Sequence, residues 1–420
     1  MAAPGEHDRE LDIVVYGASG FVGALTAQYL AGAGAGARIG LAGRSAEKLR
    51  TIRDGLGAPA HDWPILIADA SEPQTLAAMA ARTRVVISTV GPYTRYGLPL
   101  VGACAAAGTD YADLTGEAMF VRNCIDLYHK QAVDTGARIV HACGFDSIPS
   151  DLNVYALHLA ARAGGSGELG KTDFVVRLSG GLSGGTIASG MEMMTTASSD
   201  PDARRQIADP YTLSTDRGAE PDLGRQADLP WRRGRDIAPE LGGTWTAGFI
   251  MAPYNTRIVR RSNALLDWAY GRQFRYTEHL SMGSSFAAPA VSAMVTGVTG
   301  ATFGLGNRYF RLLPRRLVER LAPKPGTGPG AAARERGFYR AETYTTTGTG
   351  ARYRTTMTQS GDPGYKATSV LLGESGLALA LDRERLSDLR GVLTPAVAMG
   401  DALLARLPAA GVSVQTVRLG

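Results

Sequence analysis

Cysteine is scarce in this chain. The 420 residues hold three, Cys104, Cys124 and Cys143. They show neither the spacing of a metal site nor the paired framework of a secreted disulfide scaffold, so no metal is expected and a reducing cytoplasm suits them. No apolar secretion signal opens the chain; its start is polar, with Glu6, Asp8 and Glu10. Nucleic-acid modules are missing too: there are no zinc fingers, no basic region with heptads and no aromatic-glycine RNA motif, which argues against a nucleic-acid partner. No segment repeats. Hydrophobic residues make up 45% and charged residues 20%, which excludes a disordered chain, and the length allows two domains.

Charge is absent from one long stretch. Residues 280–307 contain no Asp, Glu, Lys or Arg over 28 positions. Length alone would suit a membrane span, but Gly283, Pro289, Gly297, Gly300, Gly304 and Gly306 interrupt it. A basic run follows. Residues 307–340 carry nine Lys or Arg and two acids, Glu319 and Glu335, so that segment is +7 and the remainder about −2 within a net charge of +5. The basic helix expected over 308–324 alternates arginines with apolar side chains, the pattern of an interfacial segment on anionic lipid. The same residues read alternatively as a buried strand, loop and helix with a solvated rim, or as an oligomer contact such as a homodimer would bury.

The most informative residues lie near the start. An apolar run (Leu11, Ile13, Val14, Val15) stops at glycines 17, 20 and 23, and a helical pattern follows through Leu30. Gly17 permits a tight turn, Gly20 admits a pyrophosphate, and Gly23 lets the helix pack on the strand. Free N–H groups at the helix start would hold the phosphates. A second apolar run, 37–42, ends in Gly43-Arg44-Ser45 where an NAD site usually places an acid. A guanidinium matches a phosphate through two parallel donors, so Arg44 points to NADP(H); a solvated arginine at a helix start is the plainer alternative. The expected cofactor-binding set is Gly17, Ser19, Gly20, Phe21, Val22, Gly23, Arg44, Ser45, Asp69, Thr89, Gly91 and Pro92. Asp69 reads equally as a group near the adenine and as a turn or cap residue.

The first third alternates strands (12–16, 37–42, 64–68, 84–89, 109–112, 137–141) with helical patterns. This is the signature of an α/β, Rossmann-type doubly wound parallel sheet. Beyond Ser150 the alternation fades. Strands at 174–178, 245–250, 256–260, 272–282, 338–346 and 351–358 suggest a second α/β domain with a mixed sheet. A glycine-rich stretch at 179–186 should open a helix through Met194, and 198–243 reads as a surface excursion. The expected divisions are a cofactor domain over 1–150, a substrate domain over 151–366, and a helical part over 367–420 that packs back on the first.

Three clusters stand at strand ends and could line one cleft: 91–97, 108–117 and 141–151. A hydride transfer needs a proton donor and a polariser, and Tyr93, Tyr111 and Asp146 have the chemistry. Asp113 and Glu117 read also as caps, Asp146 as a carboxylate fixing its own loop, and Ser150 as the cap of a helix starting at Asp151. His141 is expected to close a strand, and Cys143 to be a small buried residue.

Six stretches together carry a more specific resemblance: Tyr-Gly-Ala-Ser-Gly-Phe-Val-Gly (16–23), Ala-Gly-Arg-Ser (42–45), Val-Gly-Pro-Tyr-Thr-Arg-Tyr-Gly (90–97), Tyr-Ala-Asp-Leu-Thr-Gly-Glu (111–117), Cys-Gly-Phe-Asp-Ser-Ile-Pro-Ser-Asp (143–151) and Ser-Gly-Gly-Thr (183–186). The chain resembles, over nearly its whole length, the saccharopine dehydrogenase-like oxidoreductases, and within them the trans-acting enoyl reductases of mycobacterial-type lipid biosynthesis. The resemblance implies an NADP(H)-dependent enzyme that saturates a carbon–carbon double bond of a polyketide or long-chain acyl thioester. The substrate would be carrier-protein bound or free, and a polyketide synthase would be served in trans, toward complex lipids and glycolipids. It also implies a cytoplasmic protein with peripheral contact on the inner face of the plasma membrane through 280–324. Two other readings remain open: an amino-acid or imine reductase, and a non-catalytic NADPH-binding scaffold at a membrane. The first would need paired arginines and acids to grip α-carboxylates, and Arg95 is the one arginine in the proposed cleft loops.

Overall fold

The computed structural model describes residues 9–34, 36–180, 201–304 and 329–419. Apolar residues at consecutive positions need burial on both faces, and the first sheet provides it. Strand β1 (Leu11–Tyr16) is buried at every position and lies between β2 (Ile39–Gly43) and β4 (Thr83–Ser88), parallel to both. β3 (Ile65–Ile67) adds outside β2, and β5 (Asp110–Asp113) and β6 (Arg138–Val140) add beyond β4. The chain runs outward on one side of β1 and then crosses to the other. Ligands bind where strand order reverses in this way, and here that point is the carboxyl ends of β1 and β4.

Helices α1 (Phe21–Ala33), α2 (Ala46–Gly55), α3 (Pro73–Arg82), α4 (Tyr93–Ala107), α5 (Ala118–Thr135) and α6 (Ile148–Ala163) connect or follow these strands. The helix placed at Asp151 starts earlier, with Ser147 at its N-cap. Ser150 is therefore inside α6 and caps nothing.

The second sheet is mixed, as expected. Its order is β14, β12, β11, β7, β10, β9, β8. β7 (Leu169–Ser179) and β10 (Arg275–Gly283) pair in parallel. β8 (Arg232–Arg233), β9 (Trp245–Gly248), β11 (Phe338–Thr347) and β12 (Arg352–Ser360) pair antiparallel to their neighbours. One expected strand is a helix instead. Residues 256–260, rich in β-branched side chains, lie inside α8 (Ala252–Leu265), which follows the short α7 (Pro201–Ala208). Local β preference yields here to Pro253 in the first helical turn and to tertiary donors. Arg257, Arg260 and Arg261 are buried on α8 and give their N–H groups to carbonyls of Ile207, Tyr276, Leu213 and Val392. Carbonyls in irregular segments must find donors when buried. One helix thus ties part of the 198–243 excursion to both sheets.

Within the uncharged stretch, β10 ends at Gly283 and α9 (Ala288–Gly304) follows. Phe286 and Met294 are exposed. No helix among the described residues is long and apolar enough to cross a membrane. The basic run at 308–324, the Ser183 to Thr186 motif and the helix through Met194 lie outside the described residues.

After α10 (Ala331–Arg336), β11 and β12, the chain returns to the first sheet. α11 (Thr368–Leu381) packs on β1, β4, β5 and α1. β13 (Gly391–Leu393) extends the first sheet beside β6, and α12 (Pro395–Arg406) lies against α6 and α11. The C-terminal part is not wholly helical: β14 (Ser413–Arg418) crosses back to pair with β12. Its alternating exposed pattern is that of an edge strand.

α11 approaches the sheet through glycine. A Cβ at Gly376 would overlap the Ile87 side chain, and one at Gly373 would overlap the Tyr29 ring. Gly376→Val should therefore destabilise the protein by about 1–3 kcal/mol through overpacking. Urea unfolding measures this; an unchanged midpoint would mean that α11 does not sit this close to β4.

Candidate functional site

The turn after β1 is built for close approach. Gly17 has φ of 86°, a left-handed conformation that glycine enters without strain. A Cβ at Gly23 would overlap the Gly17 carbonyl, so only glycine lets α1 begin this near the strand. Thr89, at the end of β4, donates its hydroxyl to the carbonyls of Tyr16 and Gly17 at 3.2 and 3.3 Å. The two strand ends at the reversal point are thereby joined. Ser19 and Gly20 are exposed, and Phe21 and Val22 are half-buried at the first turn of α1. The open backbone at this turn fits a dinucleotide's phosphates.

Arg44 is exposed at the end of β2, a strand that holds no acid; the first acid after it is Glu47, in the first turn of α2. Its neighbour Ser45 caps α2, accepting Lys48 N–H at 3.4 Å. Asp69 sits across from Arg44. Its carboxylate accepts the Ser71 N–H and hydroxyl, both at 2.8 Å. Those bonds and the Arg44 charge hold its pKa below the usual carboxylate value. Of the two roles open to Asp69, the turn-fixing one is the contact seen. Gly91 is exposed and Pro92 stands at the N-cap of α4. An acid-free, arginine-bearing β2 end beside an open glycine turn fits NADP(H) by its donor chemistry.

The candidate catalytic groups separate. Tyr93 is buried and donates its hydroxyl to Ser88 O at 3.0 Å. Tyr111 is buried and donates to Asp113 Oδ2 at 3.0 Å. Burial, and next the Asp113 charge, push both phenols well above the ordinary tyrosine value. Their protons are committed to the frame of the loops. Asp146 is half-buried, and Asn255 Nδ2 donates to its carbonyl at 2.6 Å. The structure does not bring these three together at one open surface. Within 91–97, which the sequence placed in a loop, α4 begins at Tyr93; its accessible side chains there are Thr94, Arg95 and Tyr96, with Tyr96 42% exposed.

The acids read as caps prove to be the organising groups. Glu117 is buried and accepts the N–H groups of Tyr93 and Thr94 at 3.0 and 2.8 Å, which satisfies the start of α4. Asp113 accepts the N–H groups of Thr115 and Ala142 as well as the Tyr111 hydroxyl. His141 lies 2.8 Å from Asp113 through Nδ1, while its Nε2 is buried with no hydrogen-bond partner among the described residues. Cys143 is buried, and burial raises its thiol far above reactive values.

Sequence inspection missed a second polar cluster. Glu278 of β10 is buried. It accepts Tyr276 O–H at 2.8 Å and Asn255 Nδ2 at 3.0 Å, and Ser147 O–H donates to Asn255 Oδ1 at 2.8 Å. Asn255 thus links the second sheet to the 144–147 loop. Burial pushes the Glu278 carboxyl up to about 7. Its only sequence signal was an acid in an apolar strand.

Residues 13–140 match the family model described as the saccharopine dehydrogenase NADP binding domain. A Mycobacterium tuberculosis protein with the provisional name trans-acting enoyl reductase is 74% identical over 412 residues, 98% of each chain. Proteins named trans-acting enoyl reductase from Mycobacterium bovis and Mycobacterium ulcerans are 66% and 65% identical, each over 98% of this chain and 99% of their own. Apo saccharopine dehydrogenase (L-Glu forming) from Saccharomyces cerevisiae shares the fold, with a TM-score of 0.56 at 12% identity, covering 97% of this chain and 99% of that one.

Two outcomes test the site. Arg44→Asp should weaken NADPH binding at least tenfold more than NADH binding, since one guanidinium–phosphate contact is worth roughly that ratio; equal losses, read by titration, would remove Arg44 from the 2′-phosphate. For Glu278 the folded-state pKa stands above its ordinary 4.5. The protonated form therefore carries the stabilisation, complete below pH 4.5 and lost as pH rises through about 7. Glu278→Gln should abolish that part of the pH dependence, on the order of 3 kcal/mol. Parallel stability–pH curves for the two proteins would contradict this.

Proposed function

The chain belongs to the trans-acting enoyl reductases of the saccharopine dehydrogenase-like oxidoreductases, and we propose that it saturates a carbon–carbon double bond in a long-chain or polyketide-derived acyl thioester. It is an NADPH-dependent oxidoreductase. The observation that carries the reading is near-complete similarity to proteins named for this activity, joined to an NADP-binding domain whose glycine turn and Arg44 are laid out for that cofactor. NADPH would be held by the backbone at Gly17, Ser19, Gly20, Phe21, Val22 and Gly23, by Arg44 and Ser45, and near Asp69, Thr89, Gly91 and Pro92. When bound it supplies a hydride to the β-carbon of the unsaturated thioester.

This chain's own task is then to polarise the thioester carbonyl and deliver a proton to the α-carbon. Tyr93 and Tyr111 are poor donors because each hydroxyl already serves a buried acceptor. Tyr96, three residues beyond Tyr93 on α4 and exposed, is the better placed phenol, with half-buried Asp146 as the acid of the 144–147 loop. Glu117 and Asp113 hold the loops that present them.

A trans-acting reductase implies a synthase partner, and the substrate would arrive on its carrier domain or free. The uncharged stretch with exposed Phe286 and Met294, followed in sequence by the basic run, supports a peripheral contact with anionic lipid, consistent with lipid or glycolipid products. A homodimer would be the alternative use of that face. An amino-acid or imine substrate fits less well, since the cleft loops offer Arg95 alone for a carboxylate.

Purified protein with NADPH should add two hydrogens to long-chain enoyl thioesters on carrier protein or a simpler thiol, followed by mass spectrometry. Tyr96→Phe should lower turnover at least tenfold with little change in KM, and Tyr93→Phe should act mainly on stability. NADPH binding without reduction would move weight to the imine reaction or a non-catalytic scaffold.

A further inference from the structure

The second lobe reaches the cofactor turn. Phe21 is the first residue of α1, directly after Gly20. Its ring stands edge-on to Tyr365, with centroids 5.0 Å apart and planes at 84°. On it lies the Arg334 guanidinium, whose central carbon is 5.4 Å from the ring centroid. Both partners come from the far part of the chain. Arg334 is on α10, just before β11, and Tyr365 is in the tight turn Pro363–Ala367 just after β12. Arg334 is half-buried, and its Nη1 donates to the Pro329 carbonyl.

The surroundings hold this segment in place. Asp362 donates its backbone N–H to the Arg334 carbonyl at 2.7 Å. Its own carboxyl is buried; Oδ1 accepts the Lys366 N–H at 3.2 Å, and Oδ2 has no hydrogen-bond partner among the described residues. Burial is the largest influence on that carboxyl and raises its pKa, while the nearby Arg334 and Lys366 charges lower it. Lys366 adds a further positive charge, paired with Glu335. The guanidinium packs on the side chain of the first residue of α1, and a helix N-terminus and a guanidinium both favour an anion.

We propose that Arg334 is a second-lobe ligand for the pyrophosphate of the dinucleotide. Phe21 acts as the platform that keeps the guanidinium over the α1 N-terminus. The inference rests on the NADP(H) reading of the glycine turn and adds a residue from outside the cofactor domain. It separates two arginines by task. Arg44 meets the 2′-phosphate, which only NADPH has; Arg334 meets the pyrophosphate, which NADPH and NADH share. It also makes cofactor occupancy a link between the lobes, because the same ligand would touch α1 and the segment feeding β11.

The test is binding to the full-length chain by calorimetry, with NADPH, NADH and adenosine 2′-monophosphate as probes. For Arg334→Ala, the NADPH and NADH dissociation constants should rise by the same factor, about tenfold. Binding of adenosine 2′-monophosphate, which has no pyrophosphate, should not change. The salt dependence of NADPH binding should become shallower than in the parent chain. Arg334→Gln, which keeps a planar polar end, should give the same pattern and guards against a packing defect from alanine. The proposal is overturned if NADPH binds both variants as it binds the parent, if only NADPH is weakened, or if adenosine 2′-monophosphate is weakened equally. A parent chain that binds none of the three would remove the cofactor site itself, and Arg334 with it.

Discussion

The contact between Gly17 and Gly23 is the constraint on which the rest is arranged. Strand β1 must turn at once into α1, and the helix must lie against the carbonyl that ends the strand. Neither position tolerates a Cβ, which is what lets the turn be this tight. Thr89 then fastens the end of β4 to the same carbonyls. α1 in turn receives α11, through Gly373 against Tyr29 and the Tyr29 hydroxyl on Glu374 at 2.5 Å. A two-residue steric rule thus propagates into the placement of a helix that begins some 350 residues later.

The loops at the carboxyl ends of the strands use buried charge for order. Carboxylates that accept several N–H groups are strong loop organisers, because the alternative is a set of buried unpaired donors. Asp113 and Glu117 do this for the 90–97 and 114–117 loops, and Asp151 does it between lobes, accepting Ser262 O–H and Ala396 N–H. The benefit is positional. Thr94, Arg95 and Tyr96 sit on a helix start that cannot shift without stranding Glu117. The phenols best suited by residue type, Tyr93 and Tyr111, were absorbed into this frame.

The fold was legible where local pattern and burial coincide. Six short apolar runs separated by helical patterns bury themselves as a covered parallel sheet, and the glycine spacing marks the turn between β1 and α1. Residues 256–260 misled because their β-branched side chains match a strand over five positions, while what decides them is the set of distant carbonyls that need the arginines of α8. β14 was invisible for the opposite reason: its two apolar residues, Val414 and Val417, do not alternate cleanly.

The amino-acid sequence by itself determined the glycine turn, the NADP(H) cofactor, the doubly wound sheet and the family, since all depend on residues adjacent along the chain. Tertiary structure alone decided which polar side chains are open and which are spent. Tyr93, Tyr111, Asp113 and Glu117 are all candidates in one dimension, and only folding shows which acceptors the tyrosine protons reach and which donors the carboxylates receive. It also decided that Arg334 lies across Phe21 and that Asn255 bridges Glu278 to the Asp146 loop. These pairs are brought together by burial of apolar surface elsewhere, so no local pattern announces them.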